Sequence, residues 1–223
     1  MNFSVFVCLV LFSCVFTSVS LLAQLYEVNP YAGYYWPGTN NEVGKFKSNQ
    51  TLGVRGGFYI TKDFEVGGNY SWSNHFQPAD SNTASTVAGL LGFPQGSVRA
   101  NLWEAEFTYN FGEHKLFGSA VRPYAVAGAG GITTNIQNNG VFVLNVRGVP
   151  TIAGPVFVAN DVLSSGDTFF TFSYGGGVKA IRLWGPMGFF GDFRGRTIPN
   201  FFTGHGTNWP EVSAGLNFSW GER

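Results

Sequence analysis

The feature that most limits how this chain can fold is a strict alternation of apolar with small or polar residues. The final run, residues 211–220, alternates at a period of two without one exception. Its apolar positions are Val212, Ala214, Leu216, Phe218 and Trp220. Because successive side chains of a β-strand point to opposite faces, this run predicts a strand with one apolar and one polar face.

The same alternation recurs along the chain and predicts eight strands. They are residues 26–36, 52–60, 64–73, 101–111, 121–131, 170–180, 187–196 and 211–220. Short links after the second, fourth and sixth strands alternate with long ones at 37–47, 74–96, 132–167 and 197–209. This spacing predicts an up-and-down meander with short turns at one end and long loops at the other. Within the third long link, the apolar segments 141–146 and 155–158 are predicted to pair as a hairpin beyond the barrel.

The low content of charged residues indicates which face of these strands points outward. Only 12% of residues are charged, against roughly 25% in soluble domains, and 13 basic residues balance 13 acidic ones. The polar faces consist mainly of glycine, serine, asparagine and threonine. They carry too few charged side chains to form a water-facing exterior. We therefore predict an all-β protein, an eight-stranded antiparallel transmembrane barrel with its apolar face toward lipid. A chain with no basic excess is not expected to bind nucleic acid.

The N-terminal segment predicts export from the cytoplasm. Residues 3–22 carry no charge and precede a strand-like segment, so we expect a signal peptide at 1–23 and the barrel domain at 24–223. Cleavage after Ser20 is the alternative. Both cysteines, Cys8 and Cys14, lie in this segment, which excludes disulfides and cysteine-bound metal from the mature chain. An acylated Cys14 is a further alternative, disfavoured by the bulky Phe12.

Charged residues on the polar faces are expected to fill the barrel interior as a structural network, because a buried charge must be paired. The expected network consists of Arg55, Glu65, Glu104, Glu106, Lys179, Asp192, Arg194 and Arg196. Two other interpretations stay open. Rearranging ion pairs would line a narrow conducting path, and the pair Glu104 and Glu106 imitates the two carboxylates of a glycosidase.

At this point the sequence resembles the eight-stranded outer-membrane barrels of the OmpA-like or porin-like family. The resemblance is carried by Pro-Tyr-Ala at 30–32 and 123–125, by 102–112 and by the closing strand at 213–220. It implies a bacterial outer-membrane protein, without catalytic activity, whose long loops have a structural or surface-interaction role. The implied partners are outer-membrane lipids, lipopolysaccharide and the outer-membrane assembly machinery, and we expect a monomer. The chain departs from the family pattern where Gly-Glu-Arg follows Trp220.

Three other functions compete with this one. A narrow pore is the first alternative, and a soluble lipocalin-like binder with its apolar face inward is the second. A lipid-modifying enzyme at the membrane rim is the third, for which His205, Thr207 and Glu211 form the nearest imitation of a catalytic set. The three histidines of the chain all fall in predicted loops or turns. No Walker loop, zinc spacing or calcium loop is present, and Gly128 to Gly131 lack dinucleotide-binding spacing, so neither a cofactor nor a metal is expected.

Overall fold

The structure, a computed structural model, describes most of the chain after residue 24. The described residues are 25–36, 46–77, 85, 88–90, 92–116, 119–137, 142–151, 154–163, 166–201 and 205–221. The signal peptide predicted at 1–23, with both cysteines, lies outside these residues and stays a prediction.

Eleven β-strands run through the described residues. They are β1 (Tyr26–Tyr35), β2 (Asn49–Tyr59), β3 (Phe64–Phe76), β4 (Val98–Asn110), β5 (His114–Leu116), β6 (Ser119–Ile136), β7 (Phe142–Thr151), β8 (Gly154–Leu163), β9 (Thr168–Trp184), β10 (Met187–Phe201) and β11 (His205–Trp220). The histidines predicted in loops therefore lie in strands: His75 in β3, His114 in β5 and His205 at the start of β11. Within the described part of the chain, no helix is long and apolar enough to cross a membrane.

Eight of these strands form one closed antiparallel barrel. Hydrogen-bonded neighbours follow the order β1, β2, β3, β4, β6, β9, β10 and β11, and β11 pairs back onto β1. The seam between β4 and β6 runs unbroken from Val98↔Ile136 to Asn110↔Tyr124. The predicted eight-stranded meander is confirmed. We call the end with the long connections the outer end and the end with the short turns the inner end.

The two faces of the wall are distributed as the alternation predicts. Phe107 and Phe193 point outward and are 64% and 57% exposed, whereas the inward Arg55 and Glu104 are 5% and 4% exposed. Large apolar side chains on the outside of a closed barrel are suited to contact with the hydrocarbon of a membrane and not with water. The alternative of a soluble binder is wrong, because it requires the opposite orientation of the two faces.

The predicted long loop at 197–209 is also wrong, because most of it belongs to strands. β10 and β11 stay paired through Ile198↔Thr207 and reach Phe201↔His205, so only residues 202–204 connect them. In this outer section Ile198 is buried inside the barrel while Asn208 is exposed outside it. The apolar face has turned inward here, which hides the strand from a search for lipid-facing alternation.

The predicted hairpin in the third long link is confirmed. β7 and β8 form a separate two-stranded sheet, with pairs from Phe142↔Leu163 to Thr151↔Gly154. None of the barrel ladders uses these residues.

Deleting residues 138–162 should therefore leave the barrel folded. We expect the deletion protein to keep a fast-migrating band on SDS gels that slows only after boiling, because the β6–β9 ladder ends at Thr133↔Thr168. Loss of this heat-resistant band would show that the hairpin belongs to the core of the fold.

Candidate functional site

The candidate site is the barrel interior. All eight charged residues expected there are buried and point into the lumen: Arg55, Glu65, Glu104, Glu106, Lys179, Asp192, Arg194 and Arg196. Glu27 and Glu211 lie beside them, so the interior ion network holds four cationic and six carboxylate side chains. Alternation along each strand puts these positions inside, since the outward positions of the same strands are apolar.

The middle of the network is centred on Asp192 of β10. Its Oδ2 accepts hydrogen bonds from Arg55 Nη1 at 2.7 Å, Arg194 Nε at 2.8 Å and the Tyr124 hydroxyl at 2.9 Å. The Nη1 atom of Arg194 binds the carboxylate of Glu106 in β4. Four strands that lie around the lumen are thereby linked through one carboxylate and one guanidinium.

Arg196 forms the layer nearer the outer end. Its guanidinium lies between two carboxylates, with Nη2 at 3.3 Å from Glu104 Oε2 and Nη1 bound to Glu211. Asn69 supports this layer by donating to Glu104 Oε2 at 3.3 Å. Both carboxylates are fully desolvated, and Arg196 offsets the cost of burying them together with Arg55, whose Nη2 lies 3.6 Å from Glu211 Oε1.

Lys179 forms the layer nearer the inner end. Its Nζ lies 2.7 Å from Glu65 Oε2 and 2.9 Å from Glu27 Oε2, and it also donates to the Tyr59 hydroxyl at 3.0 Å. Tyr59 in turn donates to Glu27 Oε1 at 2.7 Å, and Asn217 donates to Glu27 Oε2 at 2.9 Å. All three donors of the ammonium group are thus satisfied.

The sequence analysis did not assign the interior tyrosines to the network. Tyr31 donates to Asn69 at 3.0 Å, its ring lies 4.0 Å from the Arg55 guanidinium carbon, and Tyr124 binds Asp192. The repeated Pro-Tyr-Ala motif contains the signal that would have found them. In both copies the tyrosine alternates with outward proline and alanine, so it must face the lumen.

An apolar cluster lies inside the barrel at its outer end. This outer apolar cluster consists of Tyr35, Phe46, Phe76, Val98, Ala100, Leu102, Ile132, Phe169, Ile198, Phe201 and Trp209, all buried. Trp209 is at its centre, with ring centroids 5.2 Å from Phe76 and 5.3 Å from Phe201. Phe46, which precedes β2, packs 5.7 Å from Phe201. The sequence pattern predicts small and polar side chains in the lumen. This prediction is wrong for the outer section of the lumen.

A small cavity lies in the polar half of the interior. Its volume is about 30 Å³, and its lining includes Glu65, Glu106, Lys179 and Arg194. A space of this size holds about two water molecules.

The structure does not arrange the two candidate catalytic sets as active sites. Glu104 and Glu106 are each engaged by an arginine in the lumen, and Thr207 and Glu211 are buried inside the barrel instead of at its outer rim. Gly130 lies in the middle of β6, opposite Glu104, and not in a nucleotide-binding loop. Among the described residues, no group of three or more histidine, cysteine, aspartate and glutamate side chains is placed to hold a metal ion.

Comparison with solved structures finds the same fold in Neisserial surface protein A and lists two further outer-membrane proteins. Neisserial surface protein A is 14% identical, with 86% of this chain and 96% of that chain covered and a TM-score of 0.56. OprG from Pseudomonas aeruginosa is 12% identical, with coverages of 89% and 96% and a TM-score of 0.46. Ail from Yersinia pestis is 10% identical, with coverages of 89% and 100% and a TM-score of 0.39. At 14% identity, the similarity to Neisserial surface protein A supports the fold alone.

Comparison of the sequence with known families and proteins gives two further results. A search of the curated proteins finds no match. The family model of the outer membrane protein beta-barrel domain matches residues 6–219. This match spans all eight barrel strands, and it agrees with the apolar outer face and the polar, ion-paired interior. The chain therefore belongs to the outer membrane protein beta-barrel family and is a protein of the bacterial outer membrane.

Proposed function

We propose that this protein is a closed barrel that anchors its outer connections at the cell surface, where they have a structural or surface-interaction role. The observation that carries the proposal is the outer apolar cluster, which lies across the lumen above the paired charges. A hydrophobic constriction opposes the passage of ions because water does not wet it.

The state of the interior charges supports a closed barrel. Each of the four cationic side chains contacts at least one carboxylate within 3.3 Å, and Asp192 and Glu27 receive additional hydrogen bonds. A conducting path would have to separate these pairs in a region of low dielectric constant, which costs several kcal/mol per ion.

The same arrangement argues for a non-catalytic role. A general acid or nucleophile must be within reach of a substrate. Glu104, Glu106 and Glu211 instead bind arginines inside the lumen, and the cavity beside Glu106, of about 30 Å³, is too small for a sugar or a lipid headgroup. The long connections are the part of the molecule left for contact with the environment.

Conductance across a planar lipid bilayer tests the proposal. The wild-type protein should give no single-channel steps. Replacing Phe201 and Trp209 together by alanine removes two central rings of the outer apolar cluster, and steps should appear when Arg194→Ala is added, because it also removes ion pairs below the cluster. A matched control replaces two outward aromatics, Phe107 and Phe193, by alanine and should leave the bilayer silent.

The opposite result would favour the narrow pore. Stable steps from the wild-type protein whose size changes on replacing Arg194 or Glu104 would show that ions pass through the network. In that case the outer apolar cluster does not seal the barrel, and the proposed closed barrel is wrong.

A further inference from the structure

Exposed polar and basic groups gather at the outer ends of β2, β3 and β4. We call Lys47, Asn74 and Arg99 the rim site. All three residues are exposed, and the Nδ2 of Asn49 ties the strands together by donating to the Asn74 carbonyl at 2.5 Å. Next to Asn74, the register of β3 and β4 shifts and His75 adopts a φ of 61°. This irregularity leaves two successive side chains, Asn74 and His75, on the exposed surface.

The Arg99 side chain is held in place without being neutralised. Its Nε donates to Asn74 Oδ1 at 2.8 Å. Within the described part of the chain, its two Nη atoms have neither a hydrogen-bond partner nor a carboxylate within salt-bridge distance. A guanidinium fixed through Nε presents its remaining donors as a planar fork, the geometry that binds a phosphate through two hydrogen bonds.

The position of Arg99 corresponds to the depth of lipid headgroups. Trp72 pairs with Asn101 across β3 and β4, and Tyr70 pairs with Trp103 one row below. Arg99 lies on the same outward face as Asn101 and Trp103, one row nearer the outer end. Tryptophan and tyrosine rings collect at the boundary between hydrocarbon and headgroups, so the guanidinium lies just above that boundary.

Charge is distributed unequally around the outer end. Among the residues whose side chains the structure describes, the exposed cations are Lys47 and Arg99 at the outer end, and Lys62, Lys115 and Arg182 at the inner end. On the opposite side of the outer end, near β9, the exposed charge is the carboxylate of Asp167. At the inner end, Arg182 Nη2 already donates to the Gly221 carbonyl at 2.6 Å.

We propose that the rim site binds the phosphate of an outer-leaflet lipid headgroup, with Arg99 as the principal ligand and Lys47 adding positive charge at the same end of the barrel. The acyl chains of that lipid then lie along the aromatic surface formed by Tyr70, Trp72 and Trp103. Asn74 is a positioning residue, because it orients Arg99 and leaves the phosphate to the guanidinium. The site rests on the outer-membrane location of the protein and is independent of whether the lumen conducts.

Native mass spectrometry of the full-length protein in uncharged detergent tests the site, with diphosphoryl lipid A as the probe. Arg99→Gln should weaken binding about fivefold, the effect of one surface cation on an anionic lipid. Asn74→Ala should weaken it less, because the charge remains. Arg182→Gln is the matched control, since it removes an exposed arginine at the inner end, and it should bind as the wild type does.

Two further arms separate the possible outcomes. Lys47→Gln should also reduce binding, and it keeps the test decisive if Arg99→Gln fails to give a heat-resistant folded band. Inorganic phosphate in excess should not displace the lipid, because the aromatic surface contributes to binding. Equal lipid binding by wild type, Arg99→Gln and Lys47→Gln would overturn the proposal, as would full displacement by inorganic phosphate.

Discussion

Replacing Arg194 by methionine should strongly destabilise the barrel. The substitution leaves Glu106 without its arginine and removes one of two arginines from Asp192, while the shape of the side chain is roughly kept. Breaking a buried ion pair from one side costs about 3–5 kcal/mol, because the remaining charge stays buried. We expect this loss in urea unfolding of the protein in detergent micelles, with less heat-resistant band on gels.

A second substitution separates the loss of charge pairing from the loss of packing. Adding Glu106→Gln to Arg194→Met should recover part of the lost stability, since the unpaired carboxylate is removed and Asp192 keeps Arg55 at 2.7 Å. Phe193→Leu, at the adjacent lipid-facing position, should change the free energy of unfolding by less than about 1.5 kcal/mol. A wild-type unfolding midpoint for Arg194→Met would show that the network contributes no stability.

Replacing Gly130 by alanine should disrupt the seam between β4 and β6. A Cβ atom built at residue 130 would lie 1.9 Å from the carbonyl oxygen of Trp103 and 2.6 Å from Cα of Glu104. Both atoms belong to the backbone of the neighbouring strand, so one strand must move. We expect a loss of about 3 kcal/mol or more and a low folded yield on refolding into detergent.

Gly56→Ala provides the control for this prediction. Gly56 also lies in a barrel strand, but the atom nearest to a Cβ placed on it, the Glu27 carbonyl oxygen, is 3.8 Å away. This variant should refold with the yield of the wild type. Equal yields for Gly130→Ala and Gly56→Ala would mean that the seam adapts to the added methyl group.

The sequence contained most of the fold because lipid enforces alternation. Wherever a strand crosses hydrocarbon, its outward residues must be apolar, and the eight segments with that pattern are the eight barrel strands. The prediction failed at the outer ends, where the wall leaves the lipid. There the outward Asn208 is exposed to water and the inward Trp209 is buried. The pattern is therefore inverted, and residues 197–209 resemble a loop.

The candidate site was predictable as a set of residues but not as a set of contacts. Alternation alone puts Arg55 and Asp192 on the inner face. It does not show that they meet, because they belong to β2 and β10, which are not neighbours in the sheet. Contacts across a lumen depend on how the strands are staggered when the barrel closes. The same dependence hid the outer apolar cluster, whose members come from seven strands and the segment before β2.

The ion pairs across the lumen also constrain the order in which the barrel can assemble. Lys179 of β9 meets Glu65 of β3, and Arg196 of β10 meets Glu104 of β4, so each contact spans strands that are far apart around the wall. A half-wrapped sheet would carry Lys179, Glu65 and Glu104 into the bilayer without these partners, at a cost of several kcal/mol for each ion, whereas Arg196 would keep Glu211 of the neighbouring β11. We therefore expect insertion ahead of closure to be penalised, so that entry into the membrane is coupled to the joining of the first and last strands.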